Sequence, residues 1–130
     1  MPLFGKKGKV QYNPNAGPTK KTNLELLCGD DRETYDALFP VMMLDPRKTE
    51  TTIKQAGDNA KRSEKEKDLA SARMWYEVAG GLAIYEGNVK KVVEYFSEAE
   101  KITGRQYSIL KNPEKAVAKA QEYYKQYLAD

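Results

Sequence analysis

From residue 68 to residue 86 the chain reads DLASARMWYEVAGGLAIYE, a helical stretch that is apolar on almost every side. Leu69, Ala72, Trp75, Tyr76, Ala79, Leu82 and Ala83 share one wide face, and Met74, Val78, Ile84 and Tyr85 take most of the rest. A surface helix needs only one apolar stripe, so a helix with hardly a polar side must be surrounded by other elements. The same stretch holds Gly80 and Gly81 side by side, each about 1 kcal/mol less favourable than alanine in a helix interior. Missing side chains make sense where a neighbouring helix comes close. The sequence therefore predicts a central helix with Gly80, Gly81 and, at its end, Gly87 as close-packing positions.

The flanking sequence supplies the helices to surround it. Gly87 past the helix end and Asn88 after it read as a left-handed stop and a new N-cap, the glycine closing one helix against the next. Val89, Val92, Val93, Phe96, Ala99 and Ile102 then repeat at helical spacing, with Lys90, Lys91, Glu94, Glu98 and Lys101 opposite. Asn112 and Pro113 restart the chain, and Val117, Ala120, Tyr124, Tyr127 and Leu128 form a further stripe, widened by Ala116 and Tyr123. On the N-terminal side, Asp45 and Pro46 suit the start of a mostly solvated helix carrying Ile53, Ala56 and Ala60. Before it come one or two turns at NLELLC and a short unit in which Asp30 and Glu33 stand at capping-box spacing. Pro40 ends that unit, and Val41, Met42, Met43 and Leu44 are an apolar run assigned to the core. No strand pattern occurs. The fold expected is all-α, with well-defined helices starting near Asp45, Asp68, Asn88 and Asn112.

Charge separates the chain into two parts. Of the formal net charge of +3, residues 1–22 account for +5, which leaves −2 on residues 23–130. That first segment holds Lys6, Lys7, Lys9, Lys20 and Lys21 and no acid, and its glycines and prolines have the punctuation of successive turns. It is read as an extended basic arm, with a single helical domain over residues 23–130. No apolar run approaches the roughly 20 residues of a membrane-spanning helix, and the opening residues lack an apolar core of signal-peptide length. The reading is an intracellular, cytoplasmic protein. Cys28 is the one cysteine, so no intrachain disulfide is possible and a buried thiol is expected.

Within the helical part, Tyr76, the small residues Ala79, Gly80 and Ala83, the turn glycine Gly87, and then Val92, Phe96 and Ala99 stand in the order and spacing of a tetratricopeptide repeat. Residues 76–99 resemble one such repeat. A looser likeness extends over residues 49–128, and the whole is similar to the irregular helical-hairpin arrays of soluble attachment proteins. The resemblance implies antiparallel helical hairpins that present a concave surface to a peptide or protein. Small residues in a repeat's first helix admit its paired helix, in agreement with the packing argument for Gly80.

Catalytic chemistry finds few residues to carry it. The chain contains no histidine, which removes the commonest general base, zinc ligand and nucleophile partner. FGKKG has glycines and lysines without the strand and helix that a phosphate loop requires. Asp30 is assigned to capping, and Asp31 and Asp36 to solvent. The expectation is a non-enzymatic protein without cofactor or metal. Two binding functions remain. One is a helical-repeat adaptor or scaffold that holds another protein within a larger assembly. The other is an RNA- or ribosome-associated protein in which Lys6, Lys7, Lys9, Lys20 and Lys21, interleaved with Phe4 and Tyr12, contact phosphates.

Overall fold

Side-chain caps decide where the helices begin. The computed structural model describes residues 22–128, so residues 1–21, and with them most of the basic arm, lie outside the described residues. Thr22 opens α1 (Asn23–Cys28) through a reciprocal capping box with Glu25. Asp31 caps α2 (Arg32–Leu38), and Thr52 with Gln55 forms the capping box of α3 (Ile53–Lys65). Asp68 caps α4 (Leu69–Glu86), Asn88 caps α5 (Val89–Thr103) and Asn112 caps α6 (Pro113–Tyr127). Gly87 and Gly104 follow α4 and α5 in the left-handed conformation at φ 72°. Among the described residues there is no strand, and no helix is long and apolar enough to cross a membrane.

Two N-termini differ from the sequence expectation. Asp45 and Pro46 open only a 3-10 turn, Pro46–Lys48, because Asp45 caps the Arg47 amide and pairs with its guanidinium at 2.9 Å instead of starting a long helix. Four residues later Thr52 and Gln55 each satisfy the other's backbone N–H, and α3 starts there. In α2 the capping residue is Asp31, not Asp30. Its Oδ1 accepts from the Thr34 amide at 3.1 Å and its Oδ2 from the Thr34 hydroxyl at 2.7 Å.

Asp31 also joins the two ends of the chain's fold, since Lys115 of α6 lies 3.0 Å from Oδ2. The Thr34 hydroxyl, followed by Lys115, holds the Asp31 carboxyl below its ordinary range, at about 2. A depressed folded-state value means that the contribution to stability is complete above the unfolded-state value and disappears as pH falls through the folded one. The stability difference between wild type and Asp31→Asn is therefore expected to hold constant from pH 7 to 5 and to shrink between pH ~4 and ~2. Urea melts of both proteins across that range check it; a difference that persists at pH 2 would remove the cap and ion pair as its source.

Helix α4 is the centre of the packing. Its most extensive neighbours are α3 and α5, and α6 and the Pro46–Lys48 turn close further sides. The α3–α4–α5 contacts are lined with small residues: Ala56 and Ala60 of α3, Ala72, Ala79 and Ala83 of α4 and Ala99 of α5 are fully buried. Alanine at these positions lets helix axes approach without loss of helix propensity. Larger side chains fill the remaining core, among them Leu38, Tyr76, Ile84, Val92, Phe96 and Ile109. The apolar run 41–44 is divided. Met42 is buried, whereas Leu44 is 59% exposed, and so is Phe39 just before it at 64%. The buried Cys28 thiol is pushed upward by desolvation, which makes it less nucleophilic.

Candidate binding groove between α3 and α5

Three glycines assigned from sequence have distinct geometries. A Cβ on Gly80 would stand 2.5 Å from Cε2 of Phe96, so α5 reaches α4 through the space that the missing side chain leaves. A Cβ on Gly81 would meet Met43 Cε at 3.1 Å and the Val41 carbonyl at 3.4 Å; the chain segment 41–43, not a helix, uses that space. Gly87 is different: its Cβ would meet Gln121 only at ordinary contact distance, 3.4 Å, while its φ of 72° needs glycine's freedom. Gly87 is a turn residue, not a close-packing one.

A fourth glycine builds a site. Gly57 lies one position after the buried Ala56 on α3, and Tyr95 of α5 extends across to it; a Cβ there would stand 2.6 Å from the Tyr95 hydroxyl oxygen. Tyr95 is 5% exposed, its ring held by Tyr76 at 6.2 Å between centroids. Between the two helices is a groove of about 490 Å³, lined by Ile53, Lys54, Gly57, Asp58 and Lys61 on one side and Asn88, Lys91, Glu94 and Tyr95 on the other. The size is that of small-ligand and side-chain pockets.

Charge in the groove is mixed with a positive excess. Lys54 pairs with Asp58 at 2.9 Å and Lys91 with Glu94 at 3.2 Å; such exposed pairs are worth little in stability and exchange readily for a ligand. Lys91 also lies 5.7 Å from the centroid of the Tyr95 ring. Lys61 has no ion pair among the described residues. Burial, with Glu94 next, pushes the Tyr95 phenol upward, so it stays a hydrogen-bond donor at neutral pH.

Several buried tyrosines use their hydroxyls inside the protein. Tyr76 donates to Glu64 at 2.7 Å, Tyr107 to Glu77 at 2.5 Å and Tyr124 to the Met43 carbonyl at 2.5 Å. Tyr35, Tyr95 and Tyr123 have no hydroxyl hydrogen bond among the described residues, and of the three it is Tyr95 that lines this groove. A second depression, about 560 Å³, lies beside Tyr85, Gln121, Tyr124 and Lys125. There Gln121 donates to the Ile84 and Tyr85 carbonyls at 2.8 and 2.9 Å, closing the end of α4, and Tyr124 is held by the Met43 carbonyl.

No three histidine, cysteine or carboxylate side chains come together in a metal-holding cluster among the described residues. Lys6, Lys7, Lys9, Lys20 and Lys21 lie outside the described residues. The groove residues Gly57, Lys54, Lys61, Lys91 and Tyr95 were not singled out from sequence as a site. The available signal was a second small residue beside Ala56 in an otherwise polar helix, with Tyr95 three residues after Val92 on the adjoining stripe. Comparison of the chain with protein-family models, with curated proteins and with solved structures gives no match.

Proposed function

We propose that this protein is a non-enzymatic helical adaptor of tetratricopeptide-like build, whose α3, α4 and α5 form successive antiparallel hairpins and whose α3–α5 groove holds a segment of another protein. The observation that carries this reading is the groove itself, lined by Tyr95, whose hydroxyl has no partner among the described residues, and by Lys61, which has no ion pair among them, on two helices that each pack closely on α4. The helices are rigid supports, and preformed grooves of this kind lower the ordering cost of binding. The order of small residues along Tyr76, Ala79, Gly80, Ala83, Gly87, Phe96 and Ala99 agrees with the repeat architecture.

A photo-cross-linking residue in place of Lys61, with a control in place of the exposed Glu114 on α6, tests the reading in native extract. Nuclease-resistant protein adducts from position 61 and few from position 114 are expected. Equal labelling from both positions contradicts the groove. Adducts lost on nuclease treatment favour the second reading, which rests on the +5 charge of residues 1–22: an RNA-associated protein held by Lys6, Lys7, Lys9, Lys20 and Lys21. In that case deletion of residues 1–21 abolishes RNA binding, and the intact chain shows a log-log salt slope of up to about −3 to −4, at roughly 0.7 counterion per phosphate neutralised on single strands.

A further inference from the structure

We propose that the α3–α5 groove recognises an acidic segment of its protein partner, a Glu or Asp carboxylate accepting a hydrogen bond from the Tyr95 hydroxyl and lying among Lys54, Lys61 and Lys91. The inference rests on the adaptor reading and specifies its ligand chemistry.

Tyr95 is the first reason. Tyr95 is 95% buried as a residue, yet it lines the groove and its hydroxyl has no protein partner among the described residues, so a carboxylate there replaces only solvent as its acceptor. Because its Oη lies over Gly57 at the groove floor, an incoming acceptor reaches it without rearrangement of either helix. A side chain at position 57 would occupy that space.

Charge is the second. Three lysines and two carboxylates line the groove, the pairs Lys54–Asp58 and Lys91–Glu94 each lying within one helix, and Lys61 is the cation left without an ion pair among the described residues. One added carboxylate completes the balance, and hydrogen bonds to ionised acceptors are roughly twice as strong as neutral ones. A nucleic-acid backbone is less suited. Its row of phosphates would face Asp58 and Glu94 as well as the lysines, with an excess of only one positive charge to hold it. Ile53 at the end of the groove and the aliphatic stems of the lysines favour an apolar residue next to the acid, since lysine stems cover apolar surface while their heads stay in water.

The test uses the full chain and three probes in isothermal titration at low salt: a capped heptapeptide of alternating leucine and glutamate, its glutamine counterpart, and oligouridylate. The glutamate peptide is expected to bind at least about ten-fold more tightly than the glutamine one, as befits charge-assisted bonds. Tyr95→Phe is expected to weaken the glutamate peptide about ten-fold or more, the worth of one hydrogen bond to a charged acceptor, with the thermal midpoint unchanged or raised because no internal bond is lost. Lys61→Gln should weaken the same peptide and leave the glutamine peptide unaffected. Gly57→Ala, which displaces the Tyr95 hydroxyl, should also weaken it, with the helical circular dichroism retained. Equal affinity for the two peptides, or wild-type affinity in Tyr95→Phe, overturns the inference. So does oligouridylate that outcompetes the peptide and loses affinity in Lys61→Gln, which assigns the groove to phosphate. Cross-links from position 61 together with equal peptide affinities would leave the adaptor reading standing and remove the carboxylate.

Discussion

Phe96→Ala is expected to lower the unfolding free energy by about 3–5 kcal/mol, the range for a fully buried phenylalanine truncated to a cavity. The ring is wholly excluded from solvent, rests on Gly80 of α4 and packs against Tyr107 at 5.3 Å between centroids. Its loss therefore weakens α4, α5 and the connection after α5 together. Tyr107 is fixed there by its own hydroxyl on Glu77 and its amide on Glu100 at 2.9 Å, so it cannot readily move into the void. Without such collapse the cavity term persists, which places the effect toward the upper part of the range. Denaturant unfolding followed by circular dichroism checks it; a loss below about 1 kcal/mol would mean that the site relaxes or that the ring is not buried.

Gly80→Leu is the second large effect, a loss of about 1–3 kcal/mol from overpacking. Even a methyl group at this position would stand within 2.5–2.9 Å of three Phe96 ring carbons, and leucine adds three more carbons in the same direction. Helix propensity acts the other way, by about 1 kcal/mol at most, and is outweighed. The two substitutions are coupled, because each acts on the same space. In Gly80→Leu/Phe96→Ala the leucine enters the cavity, and the double variant should be more stable than the sum of the single losses predicts by at least about 1 kcal/mol. Additive losses would mean that Gly80 and Phe96 do not share an interface.

The all-α architecture was legible because α4, α5 and α6 carry long periodic stripes and each begins at an unambiguous cap, Asp68, Asn88 and Asn112. The N-terminal half was less legible because competing caps lie close together. Asp45 with Pro46 and Thr52 with Gln55 both signal a start, and the outcome depends on Arg47, which draws the Asp45 carboxylate to itself and reaches the Leu128 carbonyl at 3.0 Å. That partner is 81 residues away, beyond what a local pattern encodes. Asp30 and Asp31 present the same difficulty: both can cap by type, and Lys115 of α6 supports the second. Close packing at Gly80 could be anticipated from the unfavourable glycine in an apolar helix. The groove could not, since Gly57 acquires its role only from Tyr95 on a helix that is not its neighbour in sequence.

The most direct measurement of the central claim is backbone amide mapping of the full isotope-labelled chain during titration with the leucine–glutamate peptide. Binding in the α3–α5 groove predicts shift changes concentrated at residues 53–61 and 88–95, saturating together, and greatly reduced in Tyr95→Phe. Changes concentrated at residues 118–128, or none anywhere up to millimolar peptide, would contradict it.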